Sequence, residues 1–266
     1  MCIAVFLWQA HSTYQLYLLH NRDEYHERPA DPLRWWDDRG ILGGRDGQAG
    51  GTWLACSRSG RVAFVTNVRE VEKLDQPRSR GDLPVRFLES KQSPYEFADE
   101  VLKELHQYNG FNLIVANVVA KTMLFITNRP AQGGVYVSEV SPGIHVLSNA
   151  SLNTPWPKAQ LLRRGFEELI MEGKDRGEIP DMNLALELLT NRTKDGENLP
   201  GVLAPEWEYM LSSPFVEAET SSGLYGTRSM SALCVRTDGE VNFHEKCLDD
   251  GEWKEHHVSY KIESNV

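Results

Sequence analysis

The chain has 266 residues, of which 41% are hydrophobic and 25% are charged, so it can bury a full hydrophobic core. Its formal net charge of −10 argues against a nucleic-acid partner, because phosphate binding requires clustered lysine and arginine. The apolar start at residues 1–8 is too short for a membrane span or a signal peptide, and the four cysteines have neither disulfide nor metal-ligand spacing. We therefore expect one domain over residues 1–266, without a metal site or a transmembrane segment, in the reducing cytoplasm.

The first predicted element is a β-hairpin. Its strands are the apolar or aromatic runs Ile3–Trp8 and Tyr14–His20, which the polar residues 9–13 separate. Because both runs are almost continuously apolar, we expect both faces of the hairpin to be buried.

A glycine-rich segment follows, with the sequence GGRDGQAGGTW at Gly43–Trp53. It lacks the lysine that a phosphate-binding loop requires, so it predicts turns between short strands. Residues Arg61–Val68 form another predicted strand, and Asn67 lies near its end.

The middle of the chain contains the strongest helix signal. The sequence SPYE at Ser93–Glu96 is a capping box with proline at the first helical position, and apolar residues at helical spacing continue until Gly110. Four β-like runs separated by turn residues come next, and they predict an antiparallel meander. These runs are Phe111–Val118, Lys121–Asn128, Val135–Val140 and Gly143–Ser148.

Helices and then strands complete the chain. The helical patterns are Pro157–Met171 and Met182–Leu189, and the strand patterns are Met230–Thr237, Val241–Lys246 and Trp253–Ile262, with a tight turn at Asp238-Gly239. Strands at both ends of a chain with helices between them favour antiparallel sheets covered by helices over a doubly wound parallel sheet. We predict an α+β fold, a four-layer αββα sandwich of antiparallel sheets.

Cys2 is the first candidate functional residue. A small second residue such as cysteine usually permits removal of Met1, which would leave a thiol and a free α-amine on one residue. Since an α-amine titrates near pH ~8, it can accept a proton at neutral pH, and one residue can then supply both nucleophile and base. In the alternative interpretation, Cys2 is a small buried hydrophobe in the first strand.

A polar cluster with the sequence NRDE closes the second predicted strand. If the strand stays extended, side-chain alternation puts Asn21 and Asp23 on one face and Arg22 and Glu24 on the other. The four side chains therefore cannot all meet the Cys2 thiol. Asp23 is the better functional candidate, whereas solvated ion pairs at a strand end account for Glu24 and Arg22.

Six motifs follow one another along the chain: Cys2, NRDE from Asn21, GGTWLAC from Gly50, TNVRE from Thr66, PWPK from Pro155 and YGTRS from Tyr225. Together they resemble the NRDE proteins, the group that includes the transport and Golgi organisation protein 2 family, and the likeness covers nearly the whole chain. That family in turn resembles the cysteine-type N-terminal nucleophile hydrolases, namely the penicillin V acylases and bile salt hydrolases. Those enzymes share the αββα sandwich and cleave non-peptide amides.

The resemblance implies catalytic roles for five residues. Cys2 matches the nucleophile, and Asp23 matches the aspartate that holds its α-amine. Asn149 and Asn67 match two asparagines near the oxyanion, and Arg228 matches a late arginine that sets the local charge.

Three further residues of the matching motifs, Asn21, Arg22 and Trp53, are assigned to ligand binding. One position departs from the hydrolase pattern, because His20 stands where those enzymes have an arginine three residues before the aspartate. Two functions therefore stay open: a hydrolase that uses Cys2, which the matching residues favour, and a non-catalytic carrier, which the missing arginine favours.

The resemblance also implicates the chain in Golgi organisation, secretion, haem trafficking and lipid homeostasis. It gives an amide substrate, an acyl lipid or haem as the small-molecule ligand, while the hydrolase chemistry itself requires no cofactor. His244 and Cys247 carry side chains of the types that ligate haem iron. On this basis the chain is expected in the cytoplasm, in association with the Golgi or with mitochondria.

Overall fold

The apolar runs of the sequence form strands in the computed structural model. The structure describes residues 2–37, 39–132, 134–176 and 182–263, and for residues 173–176 it describes the backbone alone. The strands are β1 (Cys2–Trp8), β2 (Tyr14–Tyr25), β3 (Ala30–Trp35), β4 (Ile41–Asp46), β5 (Leu54–Ser57), β6 (Arg61–Asn67), β7 (Phe111–Asn117), β8 (Thr122–Thr127), β9 (Val137–Glu139), β10 (Gly143–Leu147), β11 (Glu217–Thr220), β12 (Gly223–Arg236), β13 (Glu240–Asp249) and β14 (Glu252–Lys261). The α-helices are α1 (Asp82–Glu89), α2 (Pro94–Lys103), α3 (Pro157–Arg176), α4 (Met182–Glu187) and α5 (Pro205–Met210).

These strands pair into two antiparallel sheets of seven strands each. The first sheet has the order β10-β1-β2-β12-β13-β14, and β11 pairs with β12 beside this path. The second sheet runs from β3 to β9 in chain order, so each strand pairs with its neighbour in sequence. The antiparallel α+β architecture predicted from the sequence is confirmed.

Alternating side chains of β1 show how the layers stack. Ala4 and Phe6 lie in the hydrophobic core between the two sheets, whereas Ile3 and Val5 lie in a second core that the residues of α3 and α4 complete. A third core lies between the second sheet and helices α1 and α2. Since burying one such large apolar side chain stabilises the fold by about 1.5–3 kcal/mol, the fully buried β1 is a major anchor of the four-layer αββα sandwich.

The glycine-rich segment forms the end of β4 and the turn into β5, as its pattern predicts. Gly44 has a structural reason to be glycine, because a Cβ atom there would lie 2.2 Å from the ring of Trp53. The absence of a side chain thus allows the Trp53 ring to pack close to the backbone of β4.

Several boundaries differ from the sequence predictions. The first hairpin is confirmed, but β2 continues to Tyr25, and α2 ends at Lys103, short of Gly110, with a 3₁₀ turn at Leu105–Gln107. The predicted meander of four strands is wrong at its last member, because β10 leaves the second sheet and pairs with β1. The spacing of apolar residues predicts that a segment is a strand but does not predict which strand it pairs with. The partly buried pattern of β10 is compatible with a place in either sheet.

Helices α1 and α5 were not predicted from the sequence. Helix α1 follows Gly81, which supplies no capping side chain, and it contains Pro84 in its first turn. Helix α5 is only six residues long. Without a capping box or several turns of apolar spacing, neither segment differs in pattern from a loop. None of the helices in the described ranges has the length and apolarity that a membrane span needs.

Candidate active site

A cavity of about 800 Å³ opens at the end of the sandwich where β1 begins. Five of the eight candidate catalytic and ligand-binding residues line it: Cys2, Arg22, Asp23, Trp53 and Asn67. They come from both sheets, so the packing of the two sheets brings together positions that are far apart in the chain.

Cys2 lies at the start of β1, directly across from Arg22 of β2. Only 9% of its surface is exposed, and burial raises the pKa of its thiol above the ordinary value. A hydrogen bond with the backbone of Asp23 opposes this effect. A thiol in this setting is protonated at neutral pH, so any reaction at Cys2 needs a base. Met1, whose removal would supply such a base, lies outside the described residues.

Asp23 lies on the face of the first sheet that points to the helices. Its carboxylate accepts a hydrogen bond of 2.7 Å from the hydroxyl of Thr227 on β12. Burial raises the pKa of Asp23 to about 6, although the positive charge of Lys158 and the Thr227 hydrogen bond both act to lower it. Asp23 is therefore mostly ionised at neutral pH, as a residue that holds an ammonium group must be.

Arg22 points to the opposite face, towards the second sheet, as the alternation along β2 predicts. Its guanidinium pairs with Asp46 at 3.1 Å and lies 4.3 Å from the centre of the Trp53 ring. Arg28 binds the same carboxylate at 2.6 Å. The interpretation of Arg22 as part of a solvated ion pair is wrong, because its side chain is only 6% exposed and forms a buried wall of the cavity with Trp53.

His20 lies two residues before Arg22 on the same face of β2. The residue is fully buried, and its ring packs at a centroid distance of 6.0 Å from the ring of Phe64. Burial, together with the charge of Arg22, lowers the pKa of His20 to about 3, so the imidazole is neutral. Within the described part of the chain, neither ring nitrogen has a hydrogen-bond partner. His20 thus does not replace the positive charge of an arginine at this position.

The two candidate asparagines contact one another. Asn67, at the end of β6, lines the cavity, while Asn149 is 1% exposed and lies behind it. The side-chain amide nitrogen of Asn149 donates to the backbone oxygen of Asn67 at 3.0 Å and to its side-chain oxygen at 3.1 Å. Asn67 is therefore the member of the pair that reaches a ligand, and Asn149 supports it.

Lys158 was missed as a site residue, although it is the last letter of the PWPK motif. It occupies the first turn of α3 with 3% of its surface exposed, and its Nζ lies 3.5 Å from Oδ1 of Asn149. Burial lowers the pKa of Lys158 to about 8, and the nearby Asp23 acts in the opposite direction. Apolar spacing alone identifies α3 as a helix but does not reveal that this lysine points into the protein.

Two other predicted residues, Asn21 and Arg228, lie away from the cavity. Asn21 is fully buried and donates to the backbone oxygens of Leu189 and Pro214, so it fastens the helical layer to β2. Arg228 donates to the backbone oxygens of Tyr25, Arg28 and Leu248, which fixes the chain after β2. The structure thus gives Asn21 and Arg228 structural contacts where the resemblance implied ligand binding and catalysis.

Haem ligation by His244 and Cys247 does not fit the structure. The two residues lie three positions apart on β13, so their side chains point to opposite faces of the first sheet. His244 lies near Leu186 of the helical layer, whereas Cys247 lines a small cavity together with Trp53. One iron atom cannot contact both residues.

Comparisons with known proteins agree with this architecture. A family model described as Transport and Golgi organisation 2 matches residues 1–250. The transport and Golgi organization protein 2 homolog of Bos taurus is 32% identical over 282 aligned residues, covering 99% of this chain and 100% of the relative. The Homo sapiens homolog is 31% identical with the same coverage of both chains.

A solved structure has the same fold. It is a mutant of conjugated bile acid hydrolase from Clostridium perfringens, and the match covers 99% of this chain and 97% of that chain with a TM-score of 0.52. The sequences are only 10% identical, so this likeness concerns the fold alone. The N-terminal nucleophile hydrolase fold predicted from the sequence is confirmed.

Proposed function

Because the chain belongs to the transport and Golgi organisation 2 family and has the fold of an N-terminal nucleophile hydrolase, we propose that it cleaves a non-peptide amide with Cys2 as nucleophile. The family name adds a role in transport and Golgi organisation to the proposal. The observation that carries the proposal is the convergence of Cys2, Asp23 and Asn67 on one cavity. Nucleophile, amine-holding carboxylate and oxyanion donor are the three parts that this chemistry needs.

The reaction begins when the α-amine of a mature Cys2 takes the proton of the thiol. The sulfur then attacks the substrate carbonyl carbon, and the carbonyl oxygen becomes an oxyanion that accepts a hydrogen bond from Asn67. As the C–N bond breaks, the leaving amine takes the proton from the α-ammonium, and a thioester remains on Cys2. A water molecule loses a proton to the α-amine and attacks the thioester, which releases the acid and restores the thiol.

Asp23 makes this proton transfer favourable. The α-amine becomes positively charged after it takes the thiol proton, and an ionised carboxylate nearby stabilises that charge. With a pKa of about 6, Asp23 is available as a carboxylate at neutral pH. The hydrogen bond from Thr227 fixes the carboxylate in place.

Arg80 indicates the class of substrate. It lines the cavity and donates to the backbone oxygen of Gly110 at 3.0 Å, and the described residues give it no ion pair. Burial lowers the pKa of its guanidinium, and the charges of Cys2, Glu24 and Glu70 act in the opposite direction. By contrast, Arg78 of the same cavity pairs with Asp82 and Glu104. A partly buried guanidinium with unused N–H groups favours a substrate that carries a carboxylate or another anionic group.

Replacing Arg80 by glutamine should remove this preference. Loss of a charge-assisted hydrogen bond lowers affinity for an anionic substrate by roughly 10- to 100-fold. The measurement compares the rates at which p-nitrophenyl hemisuccinate and p-nitrophenyl acetate acylate the wild type, Arg80→Gln and the control Arg78→Gln. We expect only Arg80→Gln to lose the preference for hemisuccinate. Equal preference in all three proteins would contradict the assignment.

A second candidate function is a non-catalytic carrier of an acyl lipid. The volume of the cavity is within the range of ligand-binding pockets. In addition, His20 is neutral, so it does not supply the positive charge of the arginine that the hydrolases have at this position. A carrier binds its ligand without forming a covalent bond to Cys2. An activated substrate should therefore label Cys2 covalently in a hydrolase but not in a carrier.

The proposal requires that the mature protein begin at Cys2. We expect the intact mass of the purified protein to be lower by one methionine residue, because cysteine at the second position permits removal of Met1. A retained Met1 would leave the amine of Cys2 in a peptide bond and would exclude the base in this mechanism. The mass of a Cys2→Lys variant, whose large second residue prevents removal, provides the control.

A further inference from the structure

Three polar side chains form a continuous chain from helix α3 to the cavity. Nζ of Lys158 lies 3.5 Å from Oδ1 of Asn149, and Nδ2 of Asn149 lies 3.1 Å from Oδ1 of Asn67. Asn67 lines the cavity beside Cys2, whereas Lys158 and Asn149 do not line it. The chain therefore connects a buried positive charge to the residue that would meet the oxyanion.

The chemistry of the first member fixes the direction of every bond. An ammonium group can only donate, so Asn149 must turn its oxygen to Lys158 and its nitrogen to Asn67. The hydroxyl of Ser148 donates to the same oxygen at 3.1 Å and strengthens this orientation. Asn67 in turn directs its oxygen towards Asn149, which leaves its Nδ2 as the group free to donate into the cavity. No described residue accepts a hydrogen bond from that nitrogen.

Burial increases the effect of this chain on the cavity. Lys158 and Asn149 are 3% and 1% exposed, so solvent screens the lysine charge only weakly. Hydrogen bonds in a row polarise one another, and each strengthens the next by roughly 10–30%. A positive charge at the far end thus makes the final N–H of Asn67 a stronger donor.

We propose that Lys158 is a positioning residue that orients and polarises Asn67, through Asn149, as the oxyanion donor. This inference rests on the proposed hydrolase function. Lys158 acts without touching the substrate, and its role is separate from that of Asp23, which holds the α-amine. The charge of Lys158 also acts on Asp23 and Cys2, so a test must separate the two effects.

Two reactions of Cys2 achieve this separation. Acylation by p-nitrophenyl acetate passes through an oxyanion: the S–C bond forms, the C–O bond to p-nitrophenolate breaks, and the thiol proton goes to the α-amine. Alkylation by iodoacetamide forms an S–C bond and releases iodide without an oxyanion. A change at the oxyanion donor therefore slows acylation alone, whereas a change in the thiol or its base slows both reactions.

The test measures both rates for wild type, Lys158→Met and Lys158→Arg. Since a hydrogen bond to a charged group is lost, we expect Lys158→Met to slow acylation by roughly tenfold, to leave alkylation unchanged, and to be rescued by Lys158→Arg. Asn149→Leu interrupts the same chain of hydrogen bonds without adding a charge, so it should give the same selective loss even if Lys158→Met does not fold. Asn67→Ala removes the donor completely, so its acylation rate shows how much slower the reaction becomes without any donor.

Each other outcome is informative. If wild type is not acylated at Cys2, the hydrolase proposal fails, and this inference fails with it. If wild type is acylated and a folded Lys158→Met matches its rate, only the inference fails; if Lys158→Met does not fold, a wild-type rate in Asn149→Leu has the same meaning. If both reactions slow equally, Lys158 acts through Asp23 or the thiol, which also overturns the assignment.

Discussion

Replacing Cys2 by alanine should abolish acylation of the protein by activated esters and all turnover of an amide substrate. The variant lacks the only atom that can form the covalent intermediate in this mechanism, so we expect a loss of at least roughly 10³-fold, the scale seen when enzymes lose a nucleophile. Stability should change little, since alanine fills most of the space of this small side chain at the end of β1. The measurement is the release of p-nitrophenolate under single-turnover conditions, with the unfolding midpoint as the check on the fold.

Cys247→Ala is the matched control. Cys247 is a half-buried thiol that lines a small neighbouring cavity, and burial raises its pKa to about 12. The carboxylates of Glu245 and Asp249 act on this thiol, but Cys247 is an internal residue and has no α-amine that could serve as its base. We therefore expect Cys247→Ala to retain the wild-type rate. Activity that survives in Cys2→Ala but falls in Cys247→Ala would contradict the choice of nucleophile.

Replacing Glu208 by alanine should have the largest effect on stability. Glu208 and Arg69 form an ion pair of 3.3 Å whose side chains are 1% and 2% exposed. The same carboxylate accepts backbone hydrogen bonds at 2.6, 2.8 and 3.0 Å from the loop 201–203. Removing it deprives a buried guanidinium of this ion pair and three N–H groups of their acceptor. We expect the free energy of unfolding to fall by about 3–5 kcal/mol.

The control for this prediction is Glu206→Ala in the same helix. Glu206 is exposed, so its removal should change the free energy of unfolding by less than about 0.5 kcal/mol. Urea unfolding of both variants gives the comparison. A loss below about 1 kcal/mol in Glu208→Ala would show that the pair is not a main support of the structure. Because the backbone N–H of Arg69 donates to the backbone oxygen of Asn149 at 2.8 Å, we also expect the variant to react more slowly at Cys2.

Local patterns predicted much of the fold. The apolar runs of the first hairpin became β1 and β2, and the capping box at Ser93 is present with both of its reciprocal hydrogen bonds. Side-chain alternation predicted that Arg22 and Asp23 point to opposite faces, and this holds because β2 stays extended to Tyr25. Each of these features depends on neighbours within a few residues, which a sequence shows directly.

The remaining features depend on contacts between distant parts of the chain. Arg22 is buried against Asp46, and Lys158 is buried behind Asn149. Both contacts result from the packing of sheets and helices, so the spacing of residues in the sequence does not predict them. The motifs marked the right segments but not always the right residue. In YGTRS, for example, Thr227 donates a hydrogen bond to the carboxylate of Asp23, whereas Arg228 donates to backbone oxygens.

Cys2, once freed of Met1, should form a thioester with its substrate. Mass spectrometry of the N-terminal peptide after brief reaction with p-nitrophenyl acetate and acid quenching tests this directly. We expect a peptide that begins at Cys2 and carries one acetyl group, which neutral hydroxylamine removes because it is bound as a thioester. A peptide that retains Met1, or an unmodified Cys2 in a protein whose other cysteines react, would contradict this expectation.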